Sequence, residues 1–321
     1  MCFPVAAGIP FKQFFAGTFS ELTGNGLLTR HEYDPYSGRL NRITTGIEGS
    51  STNPLIRDLH YSYDGADNVL SREDAIGGSR DNYQYDAFDR LTSAVRTTNS
   101  GKGGFNLSYG YDVYGNLTHK SDAGSLVYDP TNNRLQSLAK NNGTQKQYSY
   151  DANGNMLQAG DNVVKWTSYN QPLEIRNSKT NSTATFLYDA NQQRVQQVNG
   201  TSGKSETTTY VSKAFEVTHN DNGVNDRVTQ YKHQIYAGDE VAAIQIRTLK
   251  NGTEKAPDET RYLHKDALGN VDTLTDSHGT VIQRISYDPF GKRTVTSGTD
   301  PDLKAWTARG FTGHEHLTTS V

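Results

Sequence analysis

Along most of the chain, apolar side chains sit at every second position for five to seven residues and then give way to a short polar stretch. Phe105, Leu107, Tyr109 and Tyr111 are one such run; Tyr61/Tyr63, Tyr83/Tyr85, Tyr148/Tyr150, Phe186/Tyr188 and Ile285/Tyr287 end others. A period of two places these side chains on one face of a β-strand. The polar stretches carry turn chemistry: Asp112-Val-Tyr-Gly115, Asp151-Ala-Asn-Gly154 and Asp288-Pro-Phe-Gly291 have Asp first, Pro tolerated second and Gly fourth, the type I preference. After each turn an apolar residue, among Leu40, Leu70, Leu91, Leu117, Leu135, Leu157 and Val195, is expected to bring the chain back to the same face.

The strand-turn-strand unit repeats. Its fullest form, aromatic-x-Tyr-Asp-x-x-Gly-(Asn/Arg)-Leu, recurs at Tyr33, Tyr63, Tyr85, Tyr111, Tyr128, Tyr150, Tyr188 and Tyr287, with a degenerate copy expected at Tyr169. A fixed unit recurring at about twenty residues is the mark of a repeat architecture. Hairpins of this size are marginal alone, but side by side they pair every edge except the outer two. The expected fold is all-β: one long antiparallel sheet of hairpins that curls into a spiral shell, a partial β-cocoon. Three segments are expected: a non-repeat, irregular leader over 1–24, a repeat shell over 25–260, and a change of texture over 261–321. Between Asn199 and Thr260 the repeat is looser, and TSGKSETTTYVS and KNGTEKAPDET read as longer polar loops.

Composition suits a sheet that encloses little dry core. Only 33% of the 321 residues are hydrophobic, with 19 Tyr counted among them. Aromatics at 10% and a net charge of −3 argue against disorder, which goes with few aromatics and high net charge. The same balance, with no stripe of Lys and Arg, argues against nucleic acid as a partner. Cys2 is the only cysteine, so no intrachain disulfide or Cys-based metal site can form. The first fifteen residues lack a basic start and carry two prolines, a poor signal peptide, and no run is long enough to span a membrane.

The residues resemble a known family. The Tyr-Asp units are similar to the repeats of bacterial Rhs and wall-associated proteins, of insecticidal toxin complex C components and of the teneurin shell. Tyr262-Leu-His-Lys-Asp-Ala-Leu-Gly-Asn-Val271, Ile285-Ser-Tyr-Asp-Pro-Phe-Gly291 and Arg309-Gly-Phe-Thr-Gly-His-Glu-His-Leu317 resemble the opening of the Rhs-associated core. The resemblance implies a hollow cocoon of hairpins that encapsulates or scaffolds a C-terminal toxin, with that cargo or further shell segments as partners. It also implies a bacterial protein, secreted or at the cell surface when full length. In the family the core runs on into a Tyr-Asp-Pro-x-x-Gly-Arg-Phe element and a self-cleavage aspartate, which this sequence does not contain, so a truncated fragment is expected.

The chemical motifs are better read as structure. An Asp in the same slot of eight turns is a turn residue before it is a catalyst. Asp151-x-Asn153-Gly154-Asn155 and Asp64-x-x-Asp67-Asn68 depart from calcium-loop spacing. His314-Glu315-His316 offers two ligands and no third nearby. Trp166, Trp306 and the tyrosines could stack on sugars, which makes cell-surface or carbohydrate binding the alternative, with a gene remnant as a second alternative. No enzyme activity, cofactor or metal is expected. The structural residues are the ladder Tyr33, Tyr63, Tyr85, Tyr111, Tyr128, Tyr150, Tyr188 and Tyr287, with Asp112, Gly115, Asp151, Gly154, Asp288 and Gly291 setting the turns.

Overall fold

The computed structural model of the chain describes residues 11–15, 18–47, 49, 55–222, 227–254 and 257–298. Their regular structure is entirely β. The first strands are β1 (Phe11–Phe15), β2 (Thr18–Leu22), β3 (Leu27–Tyr33), β4 (Leu40–Ile47), β5 (Arg57–Tyr63), β6 (Val69–Asp74), β7 (Ser79–Tyr85), β8 (Leu91–Thr98) and β9 (Phe105–Tyr111). Next come β10 (Leu117–Lys120), β11 (Gly124–Tyr128), β12 (Leu135–Lys140), β13 (Gln145–Tyr150), β14 (Met156–Ala159), β15 (Asn162–Trp166), β16 (Pro172–Asn177), β17 (Thr183–Tyr188) and β18 (Arg194–Thr201). The last are β19 (Lys204–Ser212), β20 (Phe215–Asp221), β21 (Arg227–Ala237), β22 (Glu240–Lys250), β23 (Thr253–Glu254), β24 (Glu259–Lys265), β25 (Val271–Thr275), β26 (Val281–Tyr287) and β27 (Arg293–Gly298).

Pairing follows chain order and is antiparallel. It runs from β1 to β8, from β9 to β21, and from β24 to β27. Sequential hairpins need only short turns to meet, so the period-two pattern translates directly into neighbours in the sheet.

Two stretches differ from their sequence patterns. Residues 11–22, expected to be irregular, hold β1 and β2, paired from Phe11↔Leu22 to Phe15↔Thr18. TSGKSETTTYVS is no loop: Ser202 and Gly203 turn between β18 and β19, whose register runs from Thr201↔Lys204 to Gln196↔Thr209. Thr-rich strands that are polar on both faces show no apolar alternation, yet β-branched Thr suits a pleated backbone. KNGTEKAPDET likewise supplies the end of β22, a turn and β23.

The chain clusters into two units. Unit 1 draws on Met1–Asn106, Gln234–Gln245 and Glu259–His316, and unit 2 on Leu107–His233, Ile246–Asp258 and Leu317–Val321. Unit 1 holds the denser core: Leu27, Ile43, Leu59, Ala94, Leu263, Val271, Leu274 and Ile285 are buried, and β25 is buried along its whole length. Among the described residues unit 2 buries fewer apolar side chains, including Leu107, Tyr109, Ala184 and Phe186.

Candidate functional site

Six of the eight repeat tyrosines act as stitches between hairpins. Each stands at the end of the strand entering a turn and donates its hydroxyl to the backbone carbonyl that opens the return strand of the preceding hairpin. The bonds are Tyr63 to Leu40 (2.8 Å), Tyr85 to Val69 (3.0 Å), Tyr128 to Leu117 (3.0 Å), Tyr150 to Leu135 (3.0 Å), Tyr188 to Pro172 (2.7 Å) and Tyr287 to Val271 (3.0 Å). Trp166 makes the same contact through its indole N–H, 2.8 Å from the Met156 carbonyl. Carbonyls at the start of a strand have no ladder partner of their own on that side, so the phenol satisfies them and pins two hairpins together, a net contribution of about 1 kcal/mol each. Burial raises the pKa of Tyr63, Tyr85, Tyr128, Tyr150, Tyr188 and Tyr287, which keeps the phenols protonated as donors.

The turns fix where the ring points. Asp112 Oδ1 accepts from the amides of Tyr114 and Asn116, both 2.9 Å, while its own amide donates to the Asn116 carbonyl. The Gly115 amide donates back to the Asp112 carbonyl, and Gly115 takes φ +88°. Asp151 with Gly154, and Asp288 with Gly291, repeat this arrangement. Hydrogen bonds from the turn, led by the side chain of the Asn four residues on, hold the carboxyls of Asp64, Asp112 and Asp151 below the usual range. Just before the tyrosine the pairing slips by one residue: Ser62↔Ser71 is followed by Tyr63↔Val69, and Ser149↔Gln158 by Tyr150↔Met156. A bulge of this kind sharpens the local twist.

The bulge corrects the expected return positions. Leu40, Leu91, Leu117 and Leu135 do pair with their tyrosines. Leu70, Leu157 and Val195 are instead the skipped residues, and Leu70 and Leu157 are exposed; Val69, Met156 and Arg194 take the pairing position. The degenerate copy is also shifted. Trp166 fills the tyrosine slot and Tyr169 is a turn residue, edge-on to Tyr188 with ring centroids 6.0 Å apart. Thr167 replaces the capping Asp and accepts from the Gln171 amide at 3.0 Å.

The Asn/Arg position of the repeat proves to be a second link. Asn116 reaches Asn133 of the next turn at 2.7 Å, Asn155 reaches Asn170 at 2.8 Å, and Asn68 reaches Asp89 at 2.8 Å. All three acceptors are non-glycine residues at positive φ: Asn133 (59°), Asn170 (61°) and Asp89 (58°). Each accepts a bond in exchange for a strained backbone. At two of the Arg positions the guanidinium lies over the next tyrosine ring, Arg39 over Tyr63 at 5.8 Å and Arg134 over Tyr150 at 5.6 Å, whereas Arg90 pairs with Asp86 of its own turn and lies over Phe88.

Unit 1 also contains a buried charge cluster. Arg57 donates to Asp272 Oδ2 (3.1 and 2.8 Å) and to the Lys265 carbonyl, and Arg96 grips Asp81 in a two-pronged pair at 2.5 and 2.7 Å. Arg72 lies between Asp81, Asp266 and Asp272 at 3.7 to 4.0 Å. Burial opposes its charge, but Tyr61, Asp266, Asp272 and Asp81 outweigh burial and raise its pKa. Burial raises the Asp272 carboxyl, against the pull of Arg57 and Arg72. The signal was present in the same alternation: Arg57 shares a strand face with Leu59 and Tyr61, and Arg96 with Ala94.

The cluster pairs charges rather than exposing them, and the turn carboxylates are engaged as caps. Among the described residues no group of three or more His, Cys, Asp or Glu is placed to hold a metal. No helix there is long and apolar enough to cross a membrane. Cys2, Trp306 and His314-Glu315-His316 lie outside the described residues.

The teneurin YD-shell family model matches residues 29–314. Toxin subunit YenC1 of Yersinia entomophaga is 24% identical over 93% of this chain and 36% of its own length. The tRNA nuclease WapA of Bacillus subtilis is 24% identical over 66% of this chain and 8% of its own. The crystal structure of TcdB2-TccC3-TEV matches with a TM-score of 0.68 at 17% identity, covering 93% of this chain and 16% of that one, and the Photorhabdus luminescens Tc holotoxin pore matches equally well. The chain thus spans about a third of YenC1 and far less of the others. Tyrosine stitches, capped Asp turns and a family match over most of the sequence together establish that the chain belongs to the teneurin YD-shell family.

Proposed function

We propose that this chain is a wall segment of an Rhs/YD-repeat toxin shell, and that the wall encapsulates or scaffolds a C-terminal toxin. The observation that carries the reading is the hairpin-to-hairpin stitch. A wall that encloses a cavity cannot rely on a thick apolar core, and here the tyrosine hydroxyls, Asn bridges and Arg–ring contacts join neighbours through the sheet itself. Similarity to a toxin subunit supports the cargo; the nuclease in the WapA name is a property of that much longer protein. On this reading the chain is non-catalytic, 25–260 is shell, and 261–321 begins the core associated with Rhs proteins.

Sugar binding would draw on Trp166, whose indole N–H is already bound to the Met156 carbonyl. A glycan array probed with the whole chain should stay blank. The direct test is to sequence the gene on both sides of this frame. A continuation through a Tyr-Asp-Pro-x-x-Gly-Arg-Phe element into a variable tail is expected. Flanks coding for no further shell and no tail would overturn the toxin reading.

A further inference from the structure

Within unit 1, strands β24–β26 are docked on the β5–β8 region by polar contacts between residues far apart in sequence. Arg57 binds Asp272 and the Lys265 carbonyl, Arg96 donates to the Tyr287 carbonyl at 3.0 Å, Arg284 donates to the Ile56 carbonyl at 2.6 Å, and the Ala267 amide donates to the Tyr61 hydroxyl at 3.3 Å. His264 of β24 sits inside this contact, 3% exposed, with Nε2 3.0 Å from Thr275 Oγ1. Its charged neighbours are Arg57 from β5 and Arg284 from β26. Beside it lies a cavity of about 260 Å³ whose ionisable wall groups are Glu21 of β2, His31 and Tyr33 of β3, Arg57, Glu240 of β22, Lys265 and Asp266.

We propose that His264 is the acid-sensitive residue of this docking: the buried contact accommodates the neutral imidazole, bonded to Thr275 within β24–β26, and protonation of the ring releases these strands from the β5–β8 region. An imidazolium here would face two guanidinium groups. The surrounding carboxylates each have a partner already: Asp272 has Arg57 on Oδ2, with Oδ1 unbonded, Glu240 has Lys265 at 3.2 Å, Asp266 caps its own turn, and Glu21 also has a partner. The cavity gives water a route to the ring once the contact loosens.

The direction of the effect follows from linkage. Burial first, then Arg57 and Arg284, lower the His264 pKa from 6.5 to about 3. A group depressed on folding stabilises the docked form fully above its unfolded pKa, and that stability is lost as pH falls from 6.5 toward 3. Asp272 works the other way, since burial raises its pKa and a proton there favours docking, so it cannot be the source of acid release. His233 in unit 2 is also lowered by burial, so the readout must be local to unit 1.

Hydrogen exchange on the full chain, corrected for intrinsic rates, supplies that readout. With an ordinary histidine pKa in the open form, the opening constant of β24–β26 should rise about fifteen-fold between pH 6.5 and 5.0. His264→Gln should flatten the change to within about twofold, whereas His31→Gln should leave it intact. No change in the unaltered chain, an equal change in His264→Gln, or its loss in His31→Gln would overturn the proposal. If His264→Gln fails to fold, the unaltered chain still decides. Its opening constant must gain close to one proton per event near pH 5, and a slope near zero or two refutes a single histidine.

Discussion

Replacing Gly154 tests whether the turns set the ladder. Gly154 sits at φ +91°, where a β-branched side chain is badly strained, and its new Cβ would lie 3.3 Å from Arg134 Nη2. Backbone strain of this kind costs about 1–3 kcal/mol. Arg134 also donates to the Asp151 carbonyl at 3.1 Å and covers the Tyr150 ring, and displacing it forfeits about another 1 kcal/mol. Gly154→Val should therefore lose about 2–4 kcal/mol. Gly154→Asn should lose about 1 kcal/mol or less, since Asn170 holds the equivalent slot at φ 61°. Urea denaturation followed by circular dichroism reads both. A Val variant within about 0.5 kcal/mol of the parent, or an Asn variant as damaged as Val, would refute the argument from turn geometry.

Tyr150→Phe keeps the ring and removes the bond to the Leu135 carbonyl, so about 1 kcal/mol should be lost in the same assay, and no loss would mean the hydroxyl is not a stitch. Because burial raises the ladder phenols, their contribution is complete below about pH 10 and is lost as pH rises through the higher folded values; alkaline titration followed by tyrosinate absorbance should show ionisation together with unfolding. Arg57→Met removes the hydrogen-bonded partner of Asp272 in the core of unit 1, leaving Arg72 3.7 Å away, and should cost up to about 3–5 kcal/mol; adding Asp272→Asn should recover part of it, and identical stabilities of the two variants would deny the coupling.

The repeat and the strand-turn-strand unit were legible in the sequence because alternation and turn chemistry are local. Tyr150, Asp151 and Gly154 hold the positions their pattern assigns. What the tyrosine hydroxyl touches was not legible, since Leu135 belongs to the preceding hairpin and only strand pairing brings it near. The bulge hid the return register for the same reason: Leu70 and Leu157 look like core by spacing, and one extra residue turns them outward. Trp166 occupies a tyrosine slot that a pattern written in tyrosines does not reveal, because the slot requires only a ring with a hydrogen-bond donor at its far end. The charge cluster in unit 1 joins residues more than two hundred positions apart, as Arg57 and Asp272 are, and no local pattern reaches that far.

The most direct test of the proposed shell is protease protection of the gene's natural product, in which the proposal places a downstream toxin tail, before and after mild denaturation. The account predicts that the tail resists digestion while the wall is folded and is cut rapidly once the wall opens. A tail digested at the same rate in both conditions would contradict encapsulation by this wall.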